Sequence, residues 1–143
     1  MMGDASTWAA WVAAVTSLAT LIVTTLVGGR REHRRWARES LTDAFVAFLE
    51  ASWAHSDIVR YTPAEQPLDI EAAQACYAEM RSQLTRLRLL ASGDVLRAGE
   101  DLLRCQRAAH EARPGSARQE ALLTAARSRR VVVAAAKREM GLI

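Results

Sequence analysis

Three histidines and two cysteines hold most of this chain's capacity for acid–base or nucleophilic chemistry: His33, His55, His110, Cys76 and Cys105. A cysteine beside a histidine can act as a thiolate nucleophile. One such pairing follows from topology. If two antiparallel helices turn around Gly93, Cys76 lies opposite roughly residue 110, and so beside His110. A working triad also needs a group that orients the imidazole, and the sequence offers none. His55-Ser56-Asp57 is no substitute, because residues two apart point to different faces of a helix. His33 lies in a run of arginines and reads as a solvated polar residue. Metal chemistry has no better footing. Glu-x-x-His is absent, since Glu50 stands five residues before His55 and Glu111 directly follows His110. The two cysteines form no zinc or redox motif. No phosphate-binding loop, dinucleotide fingerprint or nucleophile elbow occurs. The expectation is therefore a non-enzymatic protein with no cofactor and no metal.

The elements that would have to position any site say more. Residues 8–27 run for twenty positions without a charge, a proline or a glycine. At roughly 1.5 Å per residue, such a helix matches the roughly 30 Å hydrocarbon core of a bilayer. A cleaved signal peptide is disfavoured, because no Lys or Arg precedes the run and arginines follow it. A soluble core helix is disfavoured too, because it is seldom apolar all round. The expectation is a transmembrane helix in a domain spanning 1–29. Arg30, Arg31, Arg34, Arg35 and Arg38 follow within eleven residues. The positive-inside rule places that side in the cytoplasm and the N-terminus outside, in the plasma membrane. The same arginines form a membrane-surface cluster able to bind anionic lipid. Trp8 and Trp11 suit the outer interfacial belt.

Within the span, Thr16, Thr20, Thr24 and Gly28 recur every four residues. Small residues at this spacing allow close helix approach, so the stripe is a candidate seam for a homo-oligomer. The alternative is that each hydroxyl bonds its own helix four residues back. A second basic cluster, Arg127, Arg129, Arg130, Lys137 and Arg138, lacks interleaved aromatics and a helix-turn-helix signature. It reads as a solvated helix face, and nucleic acid is not an expected partner.

Residues 30–143 carry helical periods and no useful strand pattern. A first helix is expected over about 30–59, with Leu41, Phe45, Phe48, Leu49, Ser52, Trp53 and Ile58 on its apolar face. Gly28-Gly29 permits, without forcing, a break from the span. Ile70, Ala73, Tyr77, Met80, Leu84, Leu87 and Ala91 step by threes and fours as a coiled-coil-like seam behind an Asp69 cap. Gly93 is expected at a left-handed helix end, with Asp94 capping the next helix. That third helix carries Val95, Leu96, Ala98, Leu102, Cys105 and Ala109. Ser116-x-x-Gln119 reads as a capping box for a fourth. Its stripe is Leu122, Ala126, Val133, Ala136 and Met140, interrupted by Arg129 and closed by Gly141. Short turns imply an antiparallel up-down bundle of about four cytoplasmic helices. The fold class is all-α.

Three segments carry a resemblance: 34–49 directly after the span, 86–103 around Gly93, and the tail 132–142. Together they resemble a group of uncharacterised actinobacterial proteins with one N-terminal membrane helix and a cytoplasmic antiparallel helical bundle. The resemblance implies architecture and location, and brings no site residues. The functional expectation is a membrane-tethered interaction module that meets membrane lipids and an unknown protein partner. The alternatives are a sensor of a small ligand or anionic lipid, and an oligomerising, membrane-permeabilising effector.

Overall fold

The computed structural model describes residues 3–143. Among them there are four helices and no strand: α1 (Gly3–Tyr61), α2 (Ile70–Leu90), α3 (Gly93–Glu111) and α4 (Ser116–Glu139). The protein is all-helical. Gly28 and Gly29 lie inside α1, so the apolar stretch and the expected first cytoplasmic helix are one helix. By its internal contacts the chain divides into Met1–Ala37 and Arg38–Ile143.

The first unit holds the one helix stretch, among the described residues, that is long and apolar enough to cross a membrane. None of that apolar window is buried inside the protein. Val15, Leu18, Leu21, Ile22 and Leu26 all face outward. An apolar helix with no protein cover lacks the usual reward for burying such residues.

The second unit has a conventional core. Leu41, Ala44, Phe45, Phe48 and Ala51 of α1 are buried with Met80, Leu84 and Leu87 of α2, Val95 and Leu102 of α3, and Val132 and Ala136 of α4. A smaller cluster joins Val59, Ala109 and Leu122. Gly99 admits the close approach: a Cβ there would stand 2.7 Å from a Leu84 methyl and 3.7 Å from the Phe48 ring.

Helix ends follow local chemistry, with two departures from expectation. The Ala72 N–H donates to Asp69 Oδ1 at 3.0 Å, as an N-cap requires. Gly141, at φ 70°, closes α4. Its N–H donates to Arg138 O at 3.1 Å and that of Leu142 to Lys137 O at 2.9 Å, the paired bonds of a Schellman motif. Gly93 departs: it is the first residue of α3 and does not take a positive φ. Ser92 is the N-cap, its backbone N–H donating to Glu139 at 2.9 Å, while Asp94 pairs with Arg97 in the first turn. The capping box also departs. Gly115, at φ 104°, occupies the N-cap of α4 and makes no side-chain bond, so Ser116 lies inside the helix. The tight Pro114-Gly115 turn takes the position that Ser116 would have needed.

Buried faces are those of the sequence with shifts. On α1, Ser52, His55, Ser56 and Val59 are buried, whereas Trp53 is half exposed. On α4 the buried set is Leu122, Ala125, Arg129, Val132, Ala135 and Ala136, one residue before the expected Ala126 and Val133. Arg129 does not interrupt this face; it belongs to it.

Candidate functional site

Chemistry in the second unit concentrates where α1, α3 and α4 bring polar groups into the core. Ser52, His55 and Ser56 continue the three–four stepping of Phe45 and Phe48. They therefore face inward despite their polarity. Gln106 of α3, one turn beyond Leu102, meets them and is itself fully buried. Its side-chain amide donates to Ser52 Oγ at 2.6 Å and to the Ser52 carbonyl at 3.1 Å. Its carbonyl oxygen stands 2.8 Å from His55 Nδ1. Because the amide nitrogen of Gln106 already donates to serine, its oxygen must accept, and His55 Nδ1 carries the proton. His55 Nε2 is then an acceptor, and His110 Nδ1, 3.0 Å away, donates to it.

Arg129 completes the network from α4. Only 6% of it is exposed. Its Nε donates to Ser52 Oγ at 2.9 Å, and one terminal nitrogen donates to Ser56 Oγ at 2.7 Å. The guanidinium carbon lies 5.5 Å from the centre of the Trp53 ring, within cation–π range. All of these acceptors are neutral. Among the described residues no carboxylate forms an ion pair with Arg129; the ion pairs of this unit are exposed ones such as Arg88–Glu100 and Arg107–Glu111. Burial pushes the Arg129 pKa below the usual arginine range, Arg60 adds to the effect, and Asp57 opposes it. The His55 pKa falls to about 4, chiefly through burial, with His110 and Arg129 contributing and the Gln106 bond opposing. His55 is neutral at physiological pH, consistent with its place as donor to one neighbour and acceptor from another.

The surface beside Arg129 is a cleft of about 470 Å³. Trp53, Ala126, Val133, Ala134 and Ile143 form its apolar wall, and Arg129, Arg130 and Lys137 supply three cationic groups. The expectation of a solvated basic face is corrected at Arg129: hydroxyls on α1 and a tryptophan ring draw it inward. Arg130 and Lys137 remain exposed.

The other expected residues fall as follows. Arg30, Arg31, Arg34 and Arg35 are exposed on α1 in the first unit. Arg38 lies in the second unit, where it donates to the Met140 carbonyl at 2.6 Å and so satisfies an end group of α4. Thr16, Thr20 and Thr24 donate to the carbonyls of Val12, Thr16 and Thr20 at 2.8, 2.8 and 2.6 Å. Each hydroxyl is thereby satisfied within α1. Nothing stands within 4 Å of a Cβ built at Gly28. The His33 ring stacks on Trp36 with centroids 5.9 Å apart.

The ring contacts of His110 are with His55 and, edge-on, with Tyr77. Cys76 instead lines a separate shallow groove with Ala47, Ala51 and Glu79. Burial raises the Cys76 pKa, which works against a thiolate. No group of three or more metal-ligating side chains stands together among the described residues.

Sequence reasoning passed over the Ser52–His55–Gln106–Arg129 network. The signal was present in the spacing: Ser52, His55 and Ser56 keep step with Phe45 and Phe48, and Arg129 with Leu122, Ala125 and Val132. Comparison with models of protein families, with curated proteins and with solved structures finds no match to this chain.

Proposed function

We propose that this protein is a single-pass, membrane-tethered helical interaction module without enzymatic activity. Residues 8–27 form the transmembrane segment, the N-terminus lies outside, and residues 30–143 form an antiparallel up-down bundle in the cytoplasm at the plasma membrane. The bundle engages a protein partner, while Arg30, Arg31, Arg34, Arg35 and Arg38 lie against anionic headgroups. The stripe of Thr16, Thr20, Thr24 and Gly28 is the seam of a homo-oligomer.

The observation that carries this reading is the apolar window of α1, none of which is buried, followed at once by arginines. Such a surface is costly in water and stable in lipid, and the charge asymmetry sets its direction. The buried polar groups around Gln106 are engaged with one another, as in a core that specifies a fold.

Topology and partnership are tested together. Trypsin applied to inside-out vesicles should digest the region after Arg30, and the same enzyme applied to intact spheroplasts should spare it. Digestion from the outside would overturn the orientation. Affinity purification of the full chain from native membranes in mild detergent should recover a defined protein partner. Recovery of the chain with only copies of itself would end the adaptor reading.

A further inference from the structure

The cleft beside Arg129 has two properties that belong together. Its lining includes Arg129, 6% exposed, whose guanidinium has two serine hydroxyls and a backbone carbonyl as acceptors. Neutral acceptors satisfy hydrogen-bonding geometry but leave the charge uncompensated, and a buried charge usually has a counter-ion. Arg130 and Lys137 then add two more cations to the same wall, and of the charges that act on Arg129 from nearby, the cation Arg60 outweighs the carboxylate of Asp57. Three like charges around one concavity repel one another unless an anion sits among them. The second property is the wall of Trp53, Ala126, Val133, Ala134 and Ile143, an apolar and aromatic surface on the same cleft. Its volume of about 470 Å³ lies within the range of small-molecule sites.

We infer that this cleft binds a phosphate monoester carrying a compact apolar or aromatic body. The phosphate sits among Arg129, Arg130 and Lys137, supplying the missing counter-charge. The body lies against Trp53 and Val133. A dianionic phosphate suits three cations better than a single carboxylate does, and guanidinium groups present paired donors to phosphate oxygens. Arg129 is pre-organised to meet the phosphate. Ser52, Ser56 and the Trp53 ring fix its plane, so little side-chain entropy is lost on binding. The same chemistry comes from two sources, a soluble phosphomonoester or the headgroup of phosphatidic acid in a membrane.

The test uses the full chain with Trp8, Trp11 and Trp36 changed to Phe, leaving Trp53 as the sole tryptophan. These three side chains are exposed, so the core is untouched. In neutral-lipid nanodiscs, phenyl phosphate is titrated while Trp53 fluorescence is followed, with benzyl alcohol as the uncharged control. In a second arm, phosphatidic acid replaces part of the phosphatidylcholine of the nanodisc. The expected result is a saturable change with phenyl phosphate and none with benzyl alcohol. Arg130→Ala with Lys137→Ala should weaken it about tenfold or more, the scale set by losing charge-assisted bonds. Arg97→Ala with Arg104→Ala, two exposed arginines of α3 outside the cleft, should leave it unchanged. A response to phosphatidic acid alone, lost in the Arg130/Lys137 variant, assigns the same site to the headgroup. No response in either arm, or a response indifferent to Arg130 and Lys137, overturns the inference. The proposed topology stands or falls separately, on the protease experiment.

Discussion

α1 carries two regions whose chemistry is inverted. Between residues 8 and 27 the side chains are apolar and uncovered; between 41 and 59 the buried positions include Ser52, His55 and Ser56. The first region departs from the usual rule by exposing leucine and valine, the second by burying histidine and serine. In the first, the threonine hydroxyls are satisfied by the helix itself, each Thr bonding four residues back. In the second, polar groups are satisfied by partners on α3 and α4. A helix that carries its own hydrogen bonds needs no protein around it and suits a solvent that offers none. A helix whose polar groups need partners from elsewhere holds a tertiary structure in register.

The sharpest way to break this comparison is to charge the uncovered region. Leu18→Arg with Ile22→Arg should cost about 5–7 kcal/mol of insertion free energy, from roughly 2.5–3.5 kcal/mol per arginine at a helix centre. Carbonate extraction should then move the chain from the pellet to the soluble fraction. If the variant stays in the pellet, the exposed apolar face does not lie in the bilayer.

The buried region should respond to loss of its hub. Gln106→Leu removes a donor and an acceptor together, leaving His55 Nδ1, Ser52 and Ser56 short of partners. With about 1–3 kcal/mol for each buried group left unsatisfied, about 4 kcal/mol of stability should be lost. Urea unfolding of the full chain in neutral detergent, followed by helical circular dichroism, reads this directly. A loss under about 1 kcal/mol would mean that Gln106 is replaceable and the network does not hold the helices in register.

Acid should attack the same network from another side. His55 titrates at about 4 in the folded protein against an ordinary value of 6.5, so the unfolded chain binds more protons between these values. The stabilisation is complete above pH 6.5 and is lost as pH falls through about 4. The full loss is ~3 kcal/mol, set by the gap between the two values at 1.36 kcal/mol per unit. His110 and Arg129 act on the imidazole directly. Tyr77 touches it only through His110, and Asp57 acts on Arg129, so no carboxylate is bonded to the ring. His55→Gln should flatten this part of the pH profile, leaving the slope from ordinary carboxylates. An unchanged slope would assign the acid sensitivity to groups elsewhere.

How far the sequence reads differs between the two regions for a physical reason. The uncovered region is legible because composition and length alone define a candidate span, and no partner need be known. The helix ends at Asp69 and Gly141 are legible because each is a local event within about four residues. Arg129 and His55 are harder, since a hydrophobicity period scores a polar residue as surface. On α4 that error moved the expected face by one position, from Ala125 and Val132 to Ala126 and Val133. Stepping by threes and fours regardless of polarity, from Leu122 through Ala125 and Arg129 to Val132 and Ala136, recovers the buried face. Even that frame does not reveal that Gln106, on another helix, supplies the bonds. Such pairing depends on the tertiary contacts of α1, α3 and α4.

The smallest expected effect sharpens the comparison within the uncovered region. Because each Thr hydroxyl bonds its own helix, changing Thr16, Thr20 and Thr24 together to Val keeps the side-chain shape and removes only internal bonds. If the stripe is a seam formed by close backbone approach, the triple variant should shift the monomer–oligomer balance by less than about 1 kcal/mol, below the usual sum for hydroxyls bonding across helices. Thr20→Leu with Gly28→Leu is the contrasting pair, because it fills the space that a second backbone would need. Cross-linking or analytical ultracentrifugation in detergent should show dissociation of this double variant and not of the triple one. An oligomer unaffected by Thr20→Leu and Gly28→Leu would mean that the stripe faces lipid. An oligomer lost in the Val variant would mean that the hydroxyls leave their own carbonyls to bond a neighbour. The uncovered region would then depend on outside partners as the buried one does.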